Sequence, residues 1–422
     1  MTSRIIDLGG VGIGPSNLSL AALSAPIEGL DARFFEKDDR FLWHSDFLFS
    51  ESMMQTSFLK DLVTPVDPTS PYSFLSFLVA NRRLYQFIHA GFAQVTRAEF
   101  SQYMEWVTQR LPNLQFGAPI RAISWKDDFF ELQSDDETFR ARNISLGTGR
   151  IPSVPDCARH RLCETVIHSS QYGKYNPTTK GRRIAVIGGG QSGAELVYHL
   201  LLDDAALPES IVWISRRSNF LPLDNTPFVN EWFTPEFSDQ FFNSRSPHKL
   251  SLLEEQRLAS DGISVELLLQ IYQRLYHRRF LDGQANHRFR FLPRRELTDL
   301  RASNQGWRVA FSSRDNRMAE ADVDLVLLAT GYEYRFPQYL EPLMNRIEQD
   351  ASGYLLNEDF SIRWDGPPNR QIYVQNAARS QRGISDPNLS LVAWRSARIL
   401  NSLLDSNVYS DLASQTMVDW MQ

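Results

Sequence analysis

Two glycine-rich stretches carry the residue types that point most directly to chemistry. In "GGVGIGPSNLSL", Gly9 to Leu20, Gly10 and Gly12 take the first two positions of a G-x-G-x-x-G turn, and Pro15 stands where the third glycine belongs. In "GGGQSGAE" the motif is complete, with Gly188, Gly190 and Gly193 enclosing Gln191 and Ser192. Such turns bring backbone N–H groups close to a diphosphate at the start of a helix. The apolar runs that follow the two turns end differently: "ARFFEK" ends in Glu36, whereas "SIVWISRR" ends in Ser215, Arg216 and Arg217. A carboxylate accepts hydrogen bonds from a free ribose 2′-hydroxyl and repels a 2′-phosphate, while a guanidinium pairs with phosphate through two parallel N–H donors. Glu36 therefore suits FAD or NAD, and Ser215 with Arg216 or Arg217 suits NADP.

Each turn lies between an apolar strand and a helical pattern. Ile5-Ile6-Asp7-Leu8 leads into Leu18, Leu20, Ala22 and Leu23, and Ile184 to Ile187 leads into Ala194, Leu196, Val197 and Leu200. This predicts an α/β chain with two Rossmann-like dinucleotide-binding domains and a small helical substrate-binding region. Two further segments, "ARNISLGTGRIPSVP" and "ADVDLVLLATGYEYRFP", run an apolar strand into a small-residue turn and mark crossings between the domains. The expected plan is a flavin-nucleotide domain over 1–170, a nicotinamide domain over 171–225, a mainly helical region over 226–284, the rest of the nicotinamide domain over 285–323, and the rest of the flavin domain over 324–422.

Composition narrows the partners. With 422 residues there is material for two or three domains, and a net charge of −6 spread over interspersed signs argues against nucleic acid or an anionic membrane surface. No apolar run reaches the roughly 20 residues of a membrane span. Two cysteines, Cys157 and Cys163, are too few for a disulfide framework and lack metal-ligand spacing, and no other His/Cys/Asp cluster suggests a metal. The first strand starts within five residues of Met1 and leaves no room for a signal peptide, so a cytoplasmic location is expected.

Longer motifs carry a family resemblance. "GVGIGPSNLSL", "WHSDF", "MQTSFLKDLVTPVDPTSPYSF", "GGGQSGAE", "RRSNFLPLDNTPFVNEWFTPEF", "LLATGY" and "ISDPNLSLVAWRSARI" together resemble the flavin-dependent N-hydroxylating monooxygenases of siderophore biosynthesis, most closely their L-lysine 6-monooxygenase branch. The resemblance extends from Ile5 to about Leu400. In that family G-x-G-P-x-N-L is the ordinary form of the FAD turn, so Pro15 is a family marker. The resemblance implies FAD at the first turn, with Gly12, Gly14, Pro15 and Asn17 near its diphosphate. It further implies that NADPH reduces FAD, that the reduced flavin adds dioxygen to give a hydroperoxide, and that a neutral primary amine of the substrate attacks the distal oxygen. Because a lysine amine ordinarily has a pKa of about 10.4, the pocket must favour the neutral form by desolvation.

Single residues follow from the same resemblance. Gln55 in "MQTSF" matches a glutamine beside the flavin ring, and Trp43 and His44 match a Trp-His pair in the preceding loop. Lys60 in "FLKDL" matches a lysine that contacts the substrate carboxylate in the amino-acid hydroxylases. Asn230 matches an asparagine near substrate and nicotinamide in the ornithine enzymes, and Ser390 matches a substrate-side serine. Asp261-Gly262, where ornithine enzymes commonly carry Asn-Tyr, makes ornithine less favoured, and Lys60 argues for an amino acid over a diamine. Met53-Met54 and Trp232 leave room for a non-amino-acid amine such as histamine or putrescine, and ornithine and cadaverine complete the alternatives to L-lysine. Family members are often homotetramers, which the resemblance carries over as an expectation. A disulfide reductase would need a redox pair of cysteines that Cys157 and Cys163 do not form, and the F-x-G-x-x-x-H signature of other flavin monooxygenases is reduced to His168 in "LCETVIHSSQY". A catalytically inert nucleotide-binding scaffold is the alternative of another class.

Overall fold

The run Ile5–Val11 forms a buried strand at the centre of the first sheet, in a computed structural model that describes residues 5–244, 246–282, 288–410 and 416–420. Parallel neighbours flank it. Ala32–Phe35 lies on one side and Thr138–Leu146 on the other, the arrangement that a strand–helix–strand crossover through Pro15–Ser24 produces. The long strand Thr138–Leu146 is shared. Its first half runs antiparallel to Phe129–Gln133, and its second half is parallel to Ile372–Val374, so the C-terminal part of the chain completes the sheet that the N-terminus began.

The second sheet has five parallel strands in the order Phe289–Pro293, Ser210–Ser215, Arg183–Ile187, Leu325–Leu328 and Val166–His168. An antiparallel meander, Arg295–Ser303, Gly306–Ser313 and Met318–Val323, packs beside it. The chain enters and leaves this unit through two short strands that pair antiparallel, Ile151–Pro152 with Tyr332–Glu333. These are the segments whose small-residue turns mark the crossings.

Two of the expected boundaries shift. Leu325–Leu328, expected to open the resumed flavin domain at 324, is a central strand of the second sheet, and Val166–His168, expected to close the first part at 170, is its edge. All four residues of Leu325–Leu328 are fully buried. A strand apolar on both faces needs a sheet covered on both, here by helices on one side and by the meander on the other, and the pattern alone does not say which sheet. The helical region also divides. Pro227–Asn230, Pro235–Asn243, Ser246–Glu255 and Arg257–Asp261 are helical as expected. Val265–Tyr276 instead lays Leu267 and Ile271 against Ala194, Leu196 and Val197 of the helix Gln191–Leu202, as part of the crossover between Ser210–Ser215 and Phe289–Pro293. The boundary expected at 284–285 lies outside the described residues. Among the described residues no helix is long and apolar enough to cross a membrane.

Candidate active site at the junction of two nucleotide turns

The helices that begin at the two glycine turns lack side-chain caps. Gly14 precedes Pro15–Ser24 and Gly190 precedes Gln191–Leu202, whereas Ser73, Thr96 and Thr234 cap their helices by accepting a backbone N–H. Uncapped first-turn N–H donors with the helix dipole behind them form a site for an anion. The glycines have separate reasons. Gly12 has a φ of +86°, and a Cβ there would lie 2.8 Å from the Gly147 carbonyl oxygen. At Gly10 a Cβ would strike the Phe34 ring at 2.1 Å, so this glycine lets neighbouring strands pack. Gly14 is open, with nothing nearer than 3.8 Å, as a position facing a diphosphate requires. In the second turn Gly193 lets the helix close onto the strand, since a Cβ would meet the Gly188 oxygen at 2.2 Å.

Glu36 stands at the end of Ala32–Phe35 and reaches back to the first turn, one carboxylate oxygen accepting from the Ile13 N–H at 2.8 Å. The other accepts from the Lys37 N–H at 2.9 Å. Asn17 has a different task. It is fully buried, donates to the carbonyls of Gly12 at 2.9 Å and Val11 at 3.2 Å, and accepts from Ser145 and Gln375, each at 2.8 Å. Its amide thus shapes the turn from behind and ties three strands to it. Arg395, also buried and paired with Asp386 at 2.9 Å, reaches Ser16 at the start of the same helix at 3.3 Å.

On the nicotinamide side Ser215 is 2% exposed and sits beneath Gly189, its hydroxyl accepting from the Arg217 N–H at 3.2 Å. It supports the bend and is not offered to a ligand. Arg217 is half-buried and donates to the Asp261 carbonyl at 2.7 Å, while Arg216 is exposed. Both line a cavity of about 590 Å³ together with Arg257, Arg294, Arg295 and Arg314. The sequence reading missed these four. The available signal was "PRRE": Arg294 follows Phe289–Pro293 as Arg216 follows Ser210–Ser215, and the ends of adjacent parallel strands converge on one rim. This dense positive basin fits a 2′-phosphate and a diphosphate. A larger cavity of about 830 Å³, lined by Glu236, Asp239, Glu358, Asp359 and Asp405, lies away from both turns and is acidic, so the nucleotide chemistry does not belong there.

Between the turns, the structure brings Gln55 and Gln191 together, the amide nitrogen of Gln55 donating to Gln191 Oε1 at 3.4 Å. Trp43 and His44 pack edge to face at 4.8 Å, and His44 faces Tyr332 at 6.3 Å. His44 keeps solvent contact, yet the protein packed around its ring and the Arg97 guanidinium pull its pKa down to about 4. His168 is buried, and desolvation lowers its pKa to about 4 as well. Its tautomer follows from its partners: the Ser170 N–H donates to Nδ1 at 3.2 Å, so Nε2 carries the proton and donates to the Gly331 carbonyl at 3.1 Å.

Lys60 is placed by its neighbour. Asp61, 1% exposed, accepts from the N–H groups of Val63, Thr64 and Phe74 at 2.9, 2.7 and 2.6 Å, which turns this loop inward and leaves Lys60 half-buried beside it. Burial lowers the Lys60 pKa, with the nearby Glu231 carboxylate opposing the shift. Glu231 adjoins Asn230, which is exposed at the end of Pro227–Asn230 and donates to the Asn225 carbonyl at 3.0 Å. Lys60 and the 230–231 corner therefore face each other from different parts of the chain. Ser390 is 6% exposed and donates to Asn388 Oδ1 at 2.6 Å.

Two Rossmann-type units, one with a carboxylate after its turn and the other with arginines, define an oxidoreductase that passes electrons from a nicotinamide nucleotide to a flavin. Comparison with known proteins gives the family. The sequence model of the L-lysine 6-monooxygenase/L-ornithine 5-monooxygenase family matches residues 4–334. The chain is 40% identical over 421 residues, 99% of each protein, to L-lysine N6-monooxygenase of Escherichia coli. It superposes with a TM-score of 0.91 on the FAD-bound cadaverine monooxygenase of the desferrioxamine pathway from Erwinia amylovora, at 32% identity, covering 99% of this chain and 100% of that one. An ornithine N-hydroxylase from Kutzneria sp. 744, solved with reduced FAD, NADP⁺ and L-ornithine, matches at a TM-score of 0.88 and 30% identity over 95% of this chain and 99% of that one. The chain belongs to the L-lysine 6-monooxygenase/L-ornithine 5-monooxygenase family and is a flavin-dependent N-monooxygenase that uses FAD and NADPH.

Proposed function

We propose that this enzyme hydroxylates the side-chain amine of L-lysine, giving N6-hydroxylysine for a hydroxamate siderophore. Lys60 carries the reading: a half-buried ammonium without an ion pair within 4 Å among the described residues is suited to a substrate carboxylate, which lysine has and a diamine lacks. The 40% identity to the Escherichia coli enzyme supports the same substrate. FAD, once reduced by NADPH, supplies the activation of dioxygen. The protein's own part is to hold the amine neutral and close. Gln55 stands at the junction of the turns to orient it against the flavin, Asn230 closes the opposite side, and Ser390 borders the substrate. Gly12, Gly14, Pro15 and Glu36 serve FAD, with Gly10 letting the strands under the turn pack, Trp43 and His44 beside the cofactor and Asn17 behind. Gly188, Gly190, Gln191, Ser192, Gly193, Arg216 and Arg217 serve NADPH, with Ser215 in support. A cytoplasmic setting, where NADPH is supplied and Cys157 and Cys163 stay reduced, suits this chemistry. A homotetramer is the expected assembly, to be checked by light scattering.

A second reading has its own observation. Glu231 beside Lys60 offers a carboxylate to a cationic end group, which favours cadaverine or putrescine over an amino acid. Hydroxylamine formation measured with NADPH and each of L-lysine, L-ornithine, cadaverine, putrescine and histamine decides between them. Lysine should give the highest efficiency. Preference for a diamine would overturn the lysine assignment.

A further inference from the structure

A closed circuit of side chains links the two nucleotide-binding units, and it starts at a residue outside both turns. Arg97 opens the helix Arg97–Thr108 of the flavin unit. Its backbone N–H donates to the Ser52 carbonyl at 2.7 Å, and the Met54 N–H donates to Val95 at 2.9 Å, so the segment ending at Gln55 is clamped to the helix start. Its guanidinium then crosses to the other unit. It grips Glu195 in bidentate fashion, at 2.6 and 3.2 Å.

Glu195 lies in the nicotinamide helix Gln191–Leu202 and is 4% exposed. Its Oε1 also accepts from the Gln191 amide at 2.9 Å. Gln191 Oε1 in turn accepts from the Ser264 N–H at 2.9 Å, the Ser264 hydroxyl at 3.3 Å and Gln55 at 3.4 Å. The path runs from Gln55 through the backbone clamp to Arg97, then to Glu195, Gln191 and back to Gln55. Such a loop fixes relative position, because none of its members can move without stretching a neighbour's bond.

The ion pair has a second physical consequence. A buried carboxylate in the first turns of a helix whose N-terminus receives an anionic nucleotide would repel that nucleotide unless neutralised. Arg97 supplies the opposite charge from the other unit, at 2.6 Å from the Glu195 carboxylate. Buried pairs of this kind gain their role from geometry more than from net stability.

We propose that Arg97 is a positioning residue of the N-hydroxylation reaction: through Glu195 and Gln191 it fixes the Gln55 amide and the start of the nicotinamide helix relative to each other. The proposal rests on the reading that Gln55 borders the flavin and that the Gly190 turn holds the nicotinamide nucleotide. In the holoenzyme, hydroxylamine formed per NADPH oxidised would be measured for the parent, Arg97→Lys and the double variant Arg97→Gln with Glu195→Gln. The double variant leaves no unpaired buried charge and should keep the parent's thermal midpoint and FAD content, yet lose coupling by about tenfold, with peroxide making up the difference. Arg97→Lys, with the charge but not the fork, should fall between. Amide hydrogen exchange supplies a readout independent of turnover: residues 52–55 and 191–195 should lose protection together in the double variant, and NADP⁺ should bind several-fold more weakly. Parental coupling and parental exchange in both variants would overturn the proposal. A parent that forms no hydroxylamine from any amine would fail the functional reading instead, leaving the exchange and NADP⁺ results to judge Arg97.

Discussion

The two nucleotide turns start from the same strand–glycine–helix plan and complete it in opposite ways. At the first turn the fixed groups point inward. Asn17 fills the space behind the turn and Glu36 closes onto the Ile13 N–H, so the flavin side is a rigid cradle organised by hydrogen bonds to its own backbone. At the second turn Ser215 is buried and the charge is left outside, as a basin of arginines contributed by three separate strand ends and the helix Arg257–Asp261. A rigid, internally satisfied cradle suits a cofactor kept through turnover. An open basic rim suits one that must enter and leave, because exposed cations attract a phosphate and release it without leaving a buried charge unpaired.

The comparison is broken most severely at Gly12. Gly12→Val adds a branched side chain at a φ of +86° and 2.8 Å from the Gly147 oxygen, so the purified variant should lack its yellow cofactor altogether. Absorbance at the flavin bands against protein concentration checks this, and full FAD occupancy would show that the cradle tolerates distortion.

Next in size is an effect on the second unit. His168, held at a pKa of about 4 by burial, resists protonation when folded, whereas an unfolded chain takes the proton near 6.5. The folded state therefore keeps this contribution above pH 6.5 and loses it as the pH falls from 6.5 towards 4, by on the order of 3 kcal/mol. Thermal or denaturant unfolding across that window should be steeper in pH for the parent than for His168→Asn. Identical slopes would remove His168 from the account.

Lys60 tests the substrate contact proposed for the flavin side. Lys60→Ala should weaken L-lysine by roughly 1.5 to 3 kcal/mol, about tenfold to more than a hundredfold, while flavin reduction by NADPH persists. The ratio of lysine to cadaverine efficiency in parent and variant is the measurement, and an unchanged ratio would separate Lys60 from the carboxylate. The smallest expected effect is on the open rim. Arg216→Ala should cut the preference for NADPH over NADH by about tenfold, since Arg294, Arg295 and Arg314 remain to hold phosphate. A complete loss of preference would mean that Arg216 acts alone and that the basin is not shared.

The turns, their helices and the opposition of Glu36 to Arg216 and Arg217 are determined by short stretches of sequence. Strand period, glycine placement and the residue ending the next strand are all local, and local geometry forces each of them. Lys60 was singled out only by the family resemblance of "FLKDL", and its half-buried place beside Asp61 came from the fold. What the sequence did not determine is which sheet receives a fully apolar strand. Leu325–Leu328 satisfies either sheet equally, and only its pairing with Arg183–Ile187 on one side and with Val166–His168 on the other assigns both strands to the second sheet. The basin of Arg257, Arg294, Arg295 and Arg314, the inward turn of Asn17 and Ser215, and the Arg97–Glu195 link across 98 positions were likewise decided by tertiary structure. Each depends on which groups share a low-dielectric space, and burial and pairing of that kind are properties of the folded chain and not of neighbouring residues.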